Sequence, residues 1–209
     1  MVEVRLRGPG GHTARPELTV DLVDVAARLV RGLQPALDAL TAAPGELRAV
    51  FGSVHAGDAA NVIPSAAVLR GTLRTRDHEV WVASPDLVER ALTTVLEGTR
   101  ATWELAYRRG VPPVVNDARA TALLEGSVRS ALGAEALVVT DQSLGGDSFA
   151  WYLEKIPGSY ARLGTHDPAS SAPRPDLHAS TFDVDERAIG AGVRVLVAAA
   201  LDALVAARR

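Results

Sequence analysis

Residues 2–16 read "VEVRLRGPGGHTARP", and the fold follows from how this stretch is divided. In its first six residues Val2, Val4 and Leu6 alternate with Glu3, Arg5 and Arg7, the period-two pattern of a half-buried strand. Three glycines and a proline then force a turn, and His12 sits inside it. Beyond the turn, Leu22, Ala26, Leu29, Val30 and Leu33 form one stripe of a helix over about residues 20–33, with Thr19 as the expected cap. "ELRAVFGSVHA" (46–56) and "AAVLRGTLRTR" (66–76) read as two further strands. Ser84-Pro85-Asp86 is a helix-start signal, followed by the apolar stripe Val88, Ala91, Leu92, Val95 and Leu96. "TWELAY" (102–107) alternates as a last strand. The order β-α-β-β-α-β predicts a four-stranded antiparallel sheet with both helices on one face, a ferredoxin-like sandwich.

"GVPPVVND" (110–117) marks a boundary, because two consecutive prolines deny the chain both helix and central strand. The remainder predicts a helix near 118–132, a short strand "ALVVT" (136–140) and a short helix near 147–155. A second short strand, "SYARL" (159–163), a loop with Pro168, Pro173 and Pro175, and a final helix capped by Asp183 follow. Two short strands do not make an independent sheet, and the last helix is apolar nearly all round. This half therefore reads as part of a larger α/β layer.

Composition narrows the function. With 209 residues, 47% hydrophobic residues and a net charge of −3, nothing points to nucleic acid or an anionic membrane surface. Lys155 is the only lysine, so the positive charge is almost all arginine. The absence of cysteine excludes a disulfide framework, a thiolate nucleophile and a cysteine-ligated metal, and suits a cytoplasmic protein. Glu3, Arg5, Arg7 and Arg15 leave no signal-peptide core in the first twenty residues. "VRVLVAAALDALVAA", broken by Asp202, reads as too short to span a bilayer.

Four places carry candidate chemistry. Gly10 and Gly11 let backbone approach closely beside His12, whose neutral imidazole is able to donate to an oxyanion; a plain loop histidine fits the same spacing. Asn61, in "GDAANVIP" (57–64), offers an amide to a ligand, or belongs to a simple connector. Asp147 after Gly145-Gly146 is explained by a helix cap alone. His178, in "DLHAS" (176–180), is a lone histidine that needs partners to hold a metal. His-Glu-x-x-His and Gly-x-Ser-x-Gly are both missing, and the five histidines show no paired ligand spacing.

"GPGGHTARP", "AGDAANVIPSAAVLRGTLRT", "VPPVVND", "SLGGDSFAWYLEKIPG" and "DLHASTFDVDERAIGAGV" together resemble, in order and spacing, the aminoacylase, hippurate hydrolase and carboxypeptidase-G class of metal-dependent amidohydrolases. The resemblance implies that residues 1–109 are an inserted ferredoxin-like dimerisation (lid) domain. It makes residues 110–209 the C-terminal segment of an α/β metallohydrolase domain. It implies that His12 polarises the scissile carbonyl across the dimer, that Asn61 contacts substrate and that His178 is a metal ligand. The implied reaction is hydrolysis of the amide of an N-acyl amino acid or similar small molecule, with zinc or manganese as cofactor. The expected partners are a second copy, joined through residues 1–109, and that substrate, with no nucleic acid and no membrane. Three departures stand out: Gly146-Asp147-Ser148-Phe149 where most members have Gly-Glu-Asp-Phe, Glu17 where many have histidine, and no match to the upstream ligands and glutamate base. Met1 within a strand suggests a truncated or mis-started frame, so this chain is expected to be inactive alone and to hold no metal alone. The other reading is a non-catalytic dimerisation or small-ligand-binding module.

Overall fold

The computed structural model describes residues 1–167, 169–170 and 179–207. They divide into two compact units, Met1–Pro113 with Gln142–Ser148, and Val114–Asp141 with Phe149–Arg209.

In the first unit the elements are β1 (Val2–Arg7), β2 (Gly11–His12), α1 (Leu22–Asp38), β3 (Arg48–Ala56), β4 (Val62–Ile63), β5 (Ala66–Arg74), α2 (His78–Leu96) and β6 (Thr102–Tyr107). The four long strands form one antiparallel sheet in the order β3-β5-β1-β6. This is the ferredoxin-like arrangement that the element order predicts. Val4 and Leu6 of β1 and Leu69 of β5 are fully buried, with Leu22, Leu29, Leu33 and Leu37 of α1 and Val88 and Leu92 of α2. Each such side chain contributes about 1.5–3 kcal/mol through burial. The alternate residues lie on the opposite face, where Glu3 accepts from Arg5 and Arg70 at 2.6 Å each. In β3 the register shifts between Phe51 and Ser53, so Gly52 is the extra residue of a bulge on an edge strand.

The helix starts differ from the sequence reading. The α1 cap is Asp21, whose carboxylate accepts from the amides of Val23 and Asp24, while Thr19 Oγ1 donates to the Pro16 carbonyl. The helix also runs past residue 33 to Asp38. Gln34 holds its last turn to β3, donating to Asp38 and the Leu47 carbonyl and accepting from the Ala49 amide at 2.9 Å. Helix α2 begins at His78, capped by Asp77, and Pro85 lies inside it. A proline there has no N–H for the carbonyl four residues back, which belongs to Trp81. Ser84 Oγ supplies the missing donor at 2.7 Å from that carbonyl and also meets Tyr107 Oη at 2.7 Å. Ser84 therefore mends the helix rather than starting it.

The second unit contains α3 (Ala118–Leu132), α4 (Ala150–Leu153) and α5 (Arg187–Ala206). Asp117 caps α3 through the Ala120 amide. Buried Ser127 of α3 donates to Asp202 of α5 at 2.6 Å, which gives the one acid in that apolar helix its partner. The expected strands over 136–140 and 159–163 do not form. An extended run becomes a strand only beside another strand, and neither stretch meets one among the described residues. Instead residues 134–136 make a single 3-10 turn, and Asn116 brackets Tyr160 by accepting from its amide and donating to its carbonyl, both at 2.9 Å. Asp147 does not cap a helix, because α4 starts at Ala150 with Phe149 at its cap position and no side-chain cap bond. Nor does Asp183 cap the last helix, which starts four residues later, where Asp185 accepts from the Arg187 amide. Starting at Arg187 gives α5 20 residues, long and apolar enough by length and composition to cross a membrane, which the apolar run alone did not suggest.

Candidate functional site

The turn after β1 is fixed by backbone crowding. A methyl group on Gly10 would stand 2.5 Å from the Ile63 carbonyl oxygen and 2.9 Å from the Ser65 nitrogen, so only glycine lets the two segments meet. They meet as the two-stranded sheet β2-β4, with Gly11 opposite Ile63 and His12 opposite Val62. The Gly8 amide donates to the Ser65 carbonyl at 3.2 Å and the Val20 amide to the Pro9 carbonyl at 2.8 Å, which tie down both ends.

At the tip of this ribbon the Thr13 amide donates to the Asn61 carbonyl at 3.2 Å, and Thr13 Oγ1 reaches the same oxygen at 3.4 Å. His12 and Asn61, 49 positions apart in sequence, are thereby carried on one exposed tip. The His12 carbonyl accepts from the Arg15 amide at 2.9 Å, and His12 Nδ1 accepts from the Ala14 amide at 3.0 Å. An exposed imidazole would otherwise swing freely; here its own turn holds it. Thr13 and Ala14 are the residues that sequence reasoning missed. The signal was the crowding of glycines, which marks close backbone approach but does not name what is approached.

Elsewhere on this unit, Glu3 lies between two guanidinium groups. Hydrogen bonds from Arg5 and then Arg70 hold its carboxyl below the ordinary glutamate range. The other described histidines are dispersed: His55 on β3, His78 at the start of α2 with its ring 5.5 Å from that of Trp81, and His166 in the second unit. His178 lies outside the described residues. Among the described residues no group of three or more His, Asp or Glu side chains is placed to hold a metal ion. They do not fit a metal pair by themselves.

The sequence pattern of "Peptidase family M20/M25/M40" fits residues 8–202. A Rhodococcus jostii protein provisionally described as glutamate–cysteine ligase 2-3 is 46% identical over 94% of this chain, which spans only 25% of that relative. A Synechocystis protein provisionally described as a hydrolase is 37% identical over 95% of the chain and 51% of its own length. The N-acetylcysteine deacetylase of Bacillus subtilis is 31% identical over 90% of the chain and 47% of its own length. Among solved structures, a Bacillus subtilis protein described as a dinuclear metal binding peptidase of the M20 family superposes with a TM-score of 0.75 at 26% identity. That superposition covers 97% of this chain and 49% of the other. A Staphylococcus aureus protein at 18% identity shares the fold with a TM-score of 0.79, over 98% of this chain and 51% of the other. Apart from the Rhodococcus protein, the chain spans about half the length of these relatives. With the match running over nearly its whole length, the chain belongs to peptidase family M20/M25/M40.

Proposed function

We propose that this chain is the dimerisation domain and C-terminal catalytic segment of a metal-dependent amidohydrolase acting on N-acyl amino acids. The observation that carries the reading is the β2-β4 tip, which brings His12 and Asn61 together as exposed polar groups on a rigid turn. In this reading His12 donates a hydrogen bond to the scissile carbonyl as negative charge develops on its oxygen, and Asn61 orients the substrate through its amide. His178 would be one of the residues to hold a divalent cation, zinc or manganese, which would supply Lewis-acid activation of a water once a full ligand set is assembled. The ligase description of the Rhodococcus relative is not carried over, because the match covers a quarter of that protein. Relatives described as deacetylases of N-acetylcysteine make that compound the first substrate to test.

The tip serves a partner's site, and the assembly is a homodimer through residues 1–109. Support comes from the free edge of β3, where Val50 and Val54 are exposed, and from Val23 and Val30 on the outer side of α1. Apolar side chains beside an unpaired strand edge are what a second copy would cover. The cysteine-free composition fits the reducing environment of the cytoplasm.

The test joins this chain to the part of the Bacillus subtilis N-acetyl-L-cysteine deacetylase that the match leaves out, and assays N-acetylcysteine hydrolysis with zinc or manganese. Hydrolysis abolished by a chelator, absent from the 209-residue chain alone, and about 10²–10³-fold slower in His12→Ala supports the reading. A folded, metal-loaded chimera that hydrolyses no N-acyl amino acid supports the non-catalytic module instead.

A further inference from the structure

The Ala14 amide points its hydrogen at His12 Nδ1 from 3.0 Å. A nitrogen that accepts a hydrogen bond carries no proton, and a neutral imidazole carries one proton in all. That proton is therefore on Nε2. The Thr13 bonds to the Asn61 carbonyl and the Arg15 bond to the His12 carbonyl fix the two residues on either side of Ala14, so the amide is held in place by the same ribbon that presents the ring.

We propose that Ala14, through its backbone N–H, is a positioning residue that locks neutral His12 as the Nε2–H tautomer and so makes the tip a hydrogen-bond donor for a carbonyl or carboxylate oxygen. The assignment rests on, and sharpens, the role given to His12 above. With Nδ1 occupied and Nε2 protonated, the neutral ring has no lone pair to offer. It is thereby excluded as a general base or as a metal ligand, and what remains is donation.

The test is ring-nitrogen NMR on the uniformly ¹⁵N-labelled 209-residue chain, at a pH where histidine is neutral, with His12→Gln assigning the signal. The expected result is a scalar coupling across the hydrogen bond between the Ala14 amide nitrogen and His12 Nδ1. The Nε2–H form should also be more populated than in the same chain unfolded in denaturant. Ala14→Gly, which keeps the N–H, retains both signatures, and Ala14→Pro, which removes it, loses both. A His12 signal that carries no coupling and shows the unfolded-chain tautomer mixture overturns the proposal, as does a proton on Nδ1. The spectrum does not depend on hydrolysis. A chimera inactive on every N-acyl amino acid with the coupling intact defeats the functional reading and leaves the tautomer lock standing.

Discussion

Pro85 and Ser84 give a quantitative test of how α2 is held together. Ser84 is 1% exposed, and its hydroxyl meets both the Trp81 carbonyl and Tyr107 Oη. Ser84→Ala removes the donor to that carbonyl and leaves the phenol without this partner, at a cost of about 1–3 kcal/mol for buried polar groups deprived of a bond. With Pro85→Ala already in place, the backbone amide at position 85 reaches the Trp81 carbonyl as an ordinary helical bond. Ser84→Ala then costs only the Tyr107 contact, and the two substitutions couple by about 1 kcal/mol, well outside the ~0.3–0.5 kcal/mol within which independent sites add. The assay is hydrogen exchange at the β1 and β5 amides against denaturant in the four proteins of the cycle. Because those amides lie in the sheet that α2 covers, they report the stability of this unit. An equal cost for Ser84→Ala in both backgrounds would refute the claim that the hydroxyl replaces a missing backbone bond.

Gly10→Ala should force β2 from β4 at a cost of about 1–3 kcal/mol, speeding exchange at the Thr13 amide while the four-stranded sheet keeps its amide shifts. Unchanged Thr13 exchange would show that the crowding at Ile63 and Ser65 is relieved elsewhere. Leu29→Ala, at a fully buried site, should destabilise by about 2–5 kcal/mol, whereas Leu196→Ala, at an exposed one, should stay within about 0.5 kcal/mol in the 209-residue chain. Denaturant unfolding distinguishes the two. Glu3, whose carboxyl is held low by Arg5 and Arg70, stabilises the fold above the glutamate value of the unfolded chain, and that contribution is lost as pH falls through the lower folded value. Carboxyl NMR should give Glu3 a midpoint below that of an unpaired glutamate, and Glu3→Gln should flatten the acid limb of stability. A Glu3 midpoint at or above the ordinary value would contradict the geometry.

The long strands were readable because β1 follows one rule throughout, apolar toward the helices and charged away from them, and β5 and β6 follow it with Ala66, Val68 and Ala106 as the outward exceptions. Helix starts were harder, since Thr19, Ser84 and Asp183 are all good caps by type. Which residue caps depends on which hydroxyl or carboxylate is already engaged, and Thr19 and Ser84 were taken by Pro16 and Trp81. The stretches 136–140 and 159–163 misled because local composition, β-branched at Val138, Val139 and Thr140 and aromatic at Tyr160, reports a taste for pairing and not the presence of a partner. At the site, the glycines around His12 announced a close approach. That the approach is to Ile63 and Ser65, and that it carries Asn61 alongside, depends on a long-range pairing no local pattern encodes.

The central claim is that His12 of one subunit completes the site of the other. Its most direct measurement mixes two variants of the chimera described above, His12→Ala and His178→Ala, each strongly impaired by itself, under conditions where subunits exchange. Half of the randomly formed dimers are then mixed, and each holds one site with His178 from one chain and His12 from the other. Recovery of about a quarter of the unmutated activity is the predicted result, since one of two sites works in half of the dimers. Mixed dimers that form and yet show no more hydrolysis than the two parents would contradict it.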